Sequence, residues 1–157
     1  MGMTDIKDYL KFVQKARGNR KPKGWEYTCI EDFILKNGRK MKIEPLPEGI
    51  KRGEPRQCFK NAFLLALENG FTYCEGYANS VVPLPLMHAW CVDKNGIVID
   101  PTWEDGKDYF GVEIPMEIAN RIILKSGHYG VIDTWDLKFP FLSGEETLRE
   151  NKNEADM

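Results

Sequence analysis

The chain has 157 residues, 42% of them hydrophobic and 29% charged, with a formal net charge of −2. This size and composition are those of one globular domain, and no stretch reaches the roughly 18 consecutive apolar residues of a membrane-spanning helix. The charged N-terminal segment does not match the apolar centre of a secretory signal peptide. We therefore expect a cytoplasmic protein that has no membrane partner and keeps its four cysteines as free thiols.

Charge is unevenly distributed along the chain. Residues 1–60 contain 15 Lys and Arg against 8 Asp and Glu, a balance of +7, and residues 61–157 contain 7 against 16, a balance of −9. A basic half can bind an anionic partner such as a nucleic acid. Because no nucleic-acid-binding motif accompanies these charges, the sequence favours two halves that face each other in one domain, or an acidic tail that biases the count.

Two helices are predicted in the N-terminal quarter of the chain. Apolar residues recur at helical spacing over Thr4–Ala16 and again over Trp25–Lys36, where an Asn-Gly pair ends the pattern. Glycine and proline recur in residues 17–24 and 38–56. These two stretches are therefore predicted to be a basic loop and a long connection.

The middle of the chain predicts a buried helix followed by an antiparallel meander. Residues Cys58–Glu68 are apolar on nearly every side, which is typical of a helix buried on all faces. Three strand-like segments follow at Phe71–Ala78, Met87–Val92 and Gly96–Asp100, and the Asn-Gly pair before the third favours a tight hairpin. A further helix is predicted over Ile114–Lys125.

Together these elements predict an α+β fold. A central helix with a cysteine at its N-terminus packs on a small antiparallel sheet, and the other helices flank this unit. Residues 1–142 are assigned to a single domain. Residues 143–157 carry little apolar content, so we expect them to be a disordered tail.

Three residues in this middle region can support nucleophilic catalysis. Cys58 begins the buried helix, and the partial positive charge of a helix N-terminus favours the reactive thiolate form of a cysteine. His88 lies on a strand and can exchange a proton with the thiol, while Asp100 can orient the imidazole ring. Because His88 and Asp100 lie on adjacent predicted strands, they can lie side by side across the sheet.

Four short motifs follow one another between residues 56 and 103, namely RQCFKNA, EGYA, HAW and IDPTW. In this order they resemble the core of the transglutaminase-like superfamily, a branch of the papain-like cysteine enzymes. The resemblance implies a papain-like fold with Cys58 as nucleophile, His88 as general base and acid, and Asp100 as the orienting carboxylate. It implies no cofactor and no metal. The interval from Cys58 to His88 is short for the family, which implies a minimal core with trimmed loops.

An acyl-transfer site also needs hydrogen-bond donors for the oxyanion of the tetrahedral intermediate. The backbone N–H of Cys58 is the natural first donor, because amides in the first turn of a helix have no intrahelical partner. The second donor is left open among the Gln57 amide and the indole N–H groups of Trp90 and Trp103.

Further side chains near these motifs allow two roles each. Glu75 is either a buried acid that contacts substrate or an ion-pair partner of Arg56. Tyr77 is a candidate for substrate binding, although packing in the core is the simpler interpretation. The apolar, proline-containing loop 79–87 either walls a binding cleft beside His88 or covers the core, and we favour the cleft.

The other cysteines are expected to be core residues, as most buried free cysteines are. Cys29 and Cys74 lie inside apolar patterns, and Cys91 is out of phase with His88 along its strand, so it points to the opposite face of the sheet. The second histidine, His128, lies in a predicted turn and is assigned a structural role.

The expected activity is cysteine-dependent acyl transfer through a thioester, either hydrolysis of an amide or isopeptide bond or transamidation. The substrate would be an amide-containing peptide, protein or small molecule. One alternative is a non-catalytic binding protein on the same fold that contacts a nucleic acid or an acidic partner through its basic N-terminal half. Another is a protein that sequesters a small molecule in the cleft without turnover.

Overall fold

A five-stranded antiparallel sheet lies at the centre of the computed structural model, which describes residues 5–82 and 84–148. The strands within these residues are β1 Arg39–Met41, β2 Thr72–Asn79, β3 Leu86–Val92, β4 Val98–Ile99 and β5 Asp108–Ile114. The helices are α1 Ile6–Arg17, α2 Ile30–Asn37, α3 Cys58–Asn69, α4 Met116–Ser126 and α5 Pro140–Ser143, with a short 3-10 helix at Trp135–Leu137. The predicted α+β class is therefore confirmed.

The order of strands across the sheet is β1-β5-β2-β3-β4. Strands β2, β3 and β4 form the predicted antiparallel meander, and α3 packs on β2 and β3. Strands β1 and β5 were not predicted. Strand β5 pairs with β2, its distant partner in sequence, and ends at Ile114, where the sequence predicted the start of a helix. That helix begins two residues later, after Pro115.

The two faces of the sheet are covered by different sets of side chains. Ala89 and Cys91 of β3 join the large core beneath the helices, whereas Trp90 and Val92 alternate onto the other face with a smaller apolar cluster. His88 is in phase with Trp90. The Trp90 ring packs closely against the backbone at Gly111. A Cβ atom placed on Gly111 would lie 2.7 Å from the ring, so the absence of a side chain there leaves room for it.

Several predicted boundaries fall at or beyond the ends of the described residues. Thr4, the predicted first residue of the first helix, lies outside them, and so do residues 149–157 of the predicted tail. Within residues 143–148, Glu146 forms an ion pair of 2.7 Å with Arg121, and Leu148 packs against the core.

Across the described ranges, none of the helices has the length and apolar content required to cross a membrane.

Candidate active site

Cys58 is partly exposed, whereas the other cysteines are buried. Cys58 is the first residue of α3 and is partly exposed. Arg56, two residues earlier, has a φ of 64°, a left-handed conformation that is uncommon for a residue with a side chain and recurs at functional sites. The remaining three cysteines are all buried: Cys29, Cys74 and Cys91. The thiol of Cys91 donates to the backbone oxygen of Ala62 in α3, on the face opposite His88.

His88 connects Cys58 to Asp100. Its Nε2 atom lies 2.8 Å from Oδ2 of Asp100, and the two side chains are only 1% and 5% exposed. The side chain of Cys58 lies close enough to the same ring to help raise its pKa. The structure therefore brings the side chains of Cys58, His88 and Asp100 together from the start of α3, from β3 and from the turn after β4.

The carboxylate of Asp100 is held by four hydrogen bonds. Besides His88, its Oδ2 atom accepts from the hydroxyl of Tyr109 at 2.6 Å, and its Oδ1 atom accepts from the backbone N–H groups of Thr102 and Trp103 at 2.9 and 3.0 Å. Burial opposes its negative charge, but the hydrogen bonds from His88, Tyr109 and Trp103 outweigh burial and hold the pKa of this carboxyl below its usual range. Asp100 is therefore a fixed anion.

The imidazole of His88 is correspondingly a cation at neutral pH. Burial disfavours the charged ring, yet the hydrogen bonds to Asp100 and Cys58 prevail and raise the pKa of His88 to about 9. The Trp103 ring stacks on the imidazole with a centroid separation of 3.8 Å and an interplanar angle of 21°. A protonated imidazole at this position can donate a proton to a group bound beside Cys58.

The three candidates for the second oxyanion donor differ in where they lie. The buried indole N–H of Trp90 donates to the sulfur of Met41 at 3.1 Å, so this donor is already used and does not point to an oxyanion at Cys58. Trp103 lies directly against His88. Gln57 is exposed at the N-cap of α3, next to Cys58, and makes no side-chain cap hydrogen bond. Gln57 and Trp103 therefore stay as candidates.

Glu75 has neither of the two roles that the sequence allowed. Its carboxylate is fully buried and accepts hydrogen bonds from the Tyr73 hydroxyl and from the backbone N–H groups of Val131 and Ile132, the latter two at 2.8 and 3.1 Å. Burial raises the pKa of this carboxyl, and these three donors partly offset the effect. Glu75 thus anchors the 131–132 segment to β2, because its carboxylate accepts hydrogen bonds from the Val131 and Ile132 N–H groups. The two segments are more than fifty residues apart in sequence.

Tyr77 lies on the face of the sheet opposite His88. Its ring packs on that of Tyr9 in α1, with centroids 5.7 Å apart, and it is a member of the core beneath the helices. The alternation of β2 explains this position, since Tyr77 is in phase with Tyr73 and Glu75 on the helix-covered face. The structure therefore places Tyr77 in packing, the simpler of its two interpretations.

Asn61 and Tyr109 contribute to the site and were not predicted. The Asn61 amide donates to the backbone oxygen of Glu54 at 2.9 Å and to the hydroxyl of Thr102 at 3.0 Å. It thereby joins the loop before α3 to the turn after Asp100. A polar side chain one turn after Cys58, on an apolar helix, was the available signal for Asn61. Tyr109 had no such signal, because its strand was not predicted.

A cavity of about 360 Å³ lies beside the start of α3. Its lining residues are Arg52, Gly53, Glu54, Pro55, Gln57, Lys60 and Asn61.

Within residues 5–82 and 84–148, no three His, Cys, Asp or Glu side chains are grouped as ligands for a metal ion. No protein-family model matches the chain, and neither the curated proteins nor the solved structures include a significant match.

Proposed function

We propose that this chain is a cysteine-dependent acyl-transfer enzyme of the papain-like, transglutaminase-like type, which hydrolyses or transfers an amide or isopeptide bond. The observation that carries the proposal is the convergence of Cys58, His88 and Asp100, in which His88 is hydrogen-bonded to Asp100 and its pKa is raised further by the neighbouring Cys58. The cysteine is the partly exposed member of this group, and the carboxylate is buried. This arrangement matches the needs of an activated thiol nucleophile.

The first half of the reaction forms a thioester. The Cys58 thiolate attacks the amide carbonyl carbon, and the negative charge that develops on oxygen is stabilised by the Cys58 backbone N–H together with Gln57 or Trp103. The His88 imidazolium then donates its proton to the leaving nitrogen as the carbon–nitrogen bond breaks. An amine leaves, and the acyl group stays on sulfur.

The second half of the reaction releases the acyl group. Neutral His88 removes a proton from water or from an acceptor amine, which attacks the thioester carbonyl and expels the thiolate. Asp100 keeps the ring in one orientation throughout, because its four hydrogen bonds fix the carboxylate to β5 and to its own turn. The ring is protonated again at the end, so the cycle is complete.

Acylation by an activated ester tests this proposal without knowledge of the natural substrate. With 4-nitrophenyl acetate, the thiolate takes the acetyl group and releases 4-nitrophenolate, which is followed by absorbance. We expect a burst of about one equivalent, and an acetyl group on the Cys58 peptide in acid-quenched samples. His88→Ala should slow the burst at least tenfold, because it removes the proton-exchanging ring.

The second histidine offers a matched control. His128 is exposed and hydrogen-bonded to Asp136 at 3.1 Å, a His–carboxylate pair that does not include Cys58. His128→Ala should leave the burst unchanged. Equal acetylation of all four cysteines in the native protein, or an equal burst in the two histidine variants, would contradict the proposal.

A further inference from the structure

The cavity beside α3 adjoins the proposed nucleophile. Gln57, which lines the cavity, is the residue immediately before Cys58, while Lys60 and Asn61 lie in the first turn of the same helix. Its volume of about 360 Å³ is sufficient for part of a small ligand. A group bound there would therefore contact the residue that precedes Cys58 and the first turn of its helix.

The lining of this cavity carries an excess of positive charge. Arg52 and Lys60 are cationic and Glu54 is the one acidic lining residue, which leaves a net charge of +1. In the described part of the chain, neither cation takes part in an ion pair. Two cations without a carboxylate partner are suited to bind an anionic group on a ligand.

The walls of the cavity are held in place by hydrogen bonds. Asn61 bonds the Glu54 backbone oxygen and Thr102, and the Gly53 N–H donates to the Pro101 oxygen at 2.8 Å. The loop also packs tightly, since a Cβ atom on Gly53 would lie 2.3 Å from the Asn61 side chain. A preformed cavity of this kind loses little conformational entropy when it binds a ligand.

We propose that this cavity binds a carboxylate or phosphate group of the substrate, so that the enzyme prefers amides with a negative charge close to the bond that it breaks. This inference rests on the proposed function, because it concerns the substrate of the same site. Arg52 and Lys60 would attract the anionic group. Because Gln57 also lines the cavity and precedes Cys58, a molecule held there would be the one presented to the sulfur.

Two alkylating reagents that differ in charge test the inference. The sulfur attacks the methylene carbon of either reagent as iodide leaves, so iodoacetate adds a carboxymethyl group and iodoacetamide adds an uncharged carbamoylmethyl group; only iodoacetate carries a carboxylate. The measured quantity is the rate constant of Cys58 with iodoacetate divided by its rate constant with iodoacetamide. Both rate constants are obtained by peptide mass spectrometry of quenched samples. In a variant with Arg52→Gln and Lys60→Gln, we expect this ratio to fall about fivefold through the iodoacetate rate alone.

Matched variants separate the local charge from the overall charge. Arg20→Gln with Lys125→Gln removes the same charge from exposed positions that do not line the cavity, and it should leave the ratio unchanged. Glu54→Gln should raise the ratio, since it removes the acidic lining residue. A rise of the ratio in Glu54→Gln cannot result from loss of folding in the double variant, so the inference can be tested even if the double variant folds poorly.

The outcomes distinguish the inference from the proposed function. If Cys58 reacts rapidly and the ratio is the same in the cavity variants and the control, the inference is wrong and the proposed function stands. If Cys58 reacts no faster than the three buried cysteines with either reagent, both are wrong. Added salt should lower the ratio in the native protein toward its value in the double variant.

Discussion

Stability is predicted to fall as the pH rises from about 6.5 to about 9, and His88 is the cause. The folded-state pKa of His88 is raised to about 9 by Asp100 and Cys58 against the opposing effect of burial, whereas an unfolded histidine titrates near 6.5. Below about 6.5 the ring is protonated in both states and its full stabilisation is present. Between the two values only the folded state holds the proton, so the free energy of unfolding decreases with rising pH.

The size of this effect follows from the same two values. One proton held only by the folded state changes the free energy of unfolding by about 1.4 kcal/mol per pH unit, or about 3 kcal/mol over the whole interval. Because His88 is 1% exposed, solvent screening does little to reduce this figure. Asp100 acts in the opposite direction at low pH: its folded pKa is lowered, so its contribution is present above about 3.9 and is lost as the pH falls.

Urea unfolding at several pH values measures this dependence. The native protein should lose stability between pH 6.5 and 8, and His88→Gln should lose most of that slope. His128, whose pKa is also raised by Asp136, is exposed, so His128→Ala should remove only a small part of it. Parallel curves for the native protein and His88→Gln would refute the reasoning, because the buried charged pair would then not exist.

Two further substitutions separate the site from the core. Asn61→Ala removes the hydrogen bonds that join the loop before α3 to the turn after Asp100, so the alkylation rate of Cys58 should fall several-fold and the free energy of unfolding by about 1 kcal/mol, as measured by mass spectrometry and urea titration. An unchanged rate would show that the loop is positioned by other contacts. Glu75→Gln weakens buried hydrogen bonds far from solvent, so unfolding should become easier by about 1–3 kcal/mol while the Cys58 rate is retained. Loss of that rate in a folded Glu75→Gln protein would assign Glu75 to the site.

The positions of Cys58, His88 and Asp100 were accessible from sequence because local signals specify each of them. An apolar helix with polar residues before it places a cysteine at a helix start, and an Asn-Gly hairpin brings two strands together. The alternation along β3 also separates Cys91 from His88. These patterns extend over a few residues, so they need no knowledge of distant parts of the chain.

The supporting residues were not accessible because their partners are distant in sequence. Strand β5 pairs with β2 across about thirty to forty residues, and without β5 nothing indicated that Tyr109 would reach Asp100. The carboxylate of Glu75 finds its donors at Val131 and Ile132, far along the chain. Side-chain packing decides such contacts, and hydrophobic periodicity carries no information about them.

The most direct test of the account is the iodoacetamide reactivity of the four cysteines, resolved by peptide mass spectrometry across a range of pH. Cys58 should be alkylated first, because it is partly exposed and lies beside a protonated imidazole, while the other three are buried. His88→Ala should slow alkylation of Cys58 at least several-fold, whereas His128→Ala should not change it. Uniform reactivity of the four thiols, or a Cys58 rate that is indifferent to the loss of His88, would contradict the account.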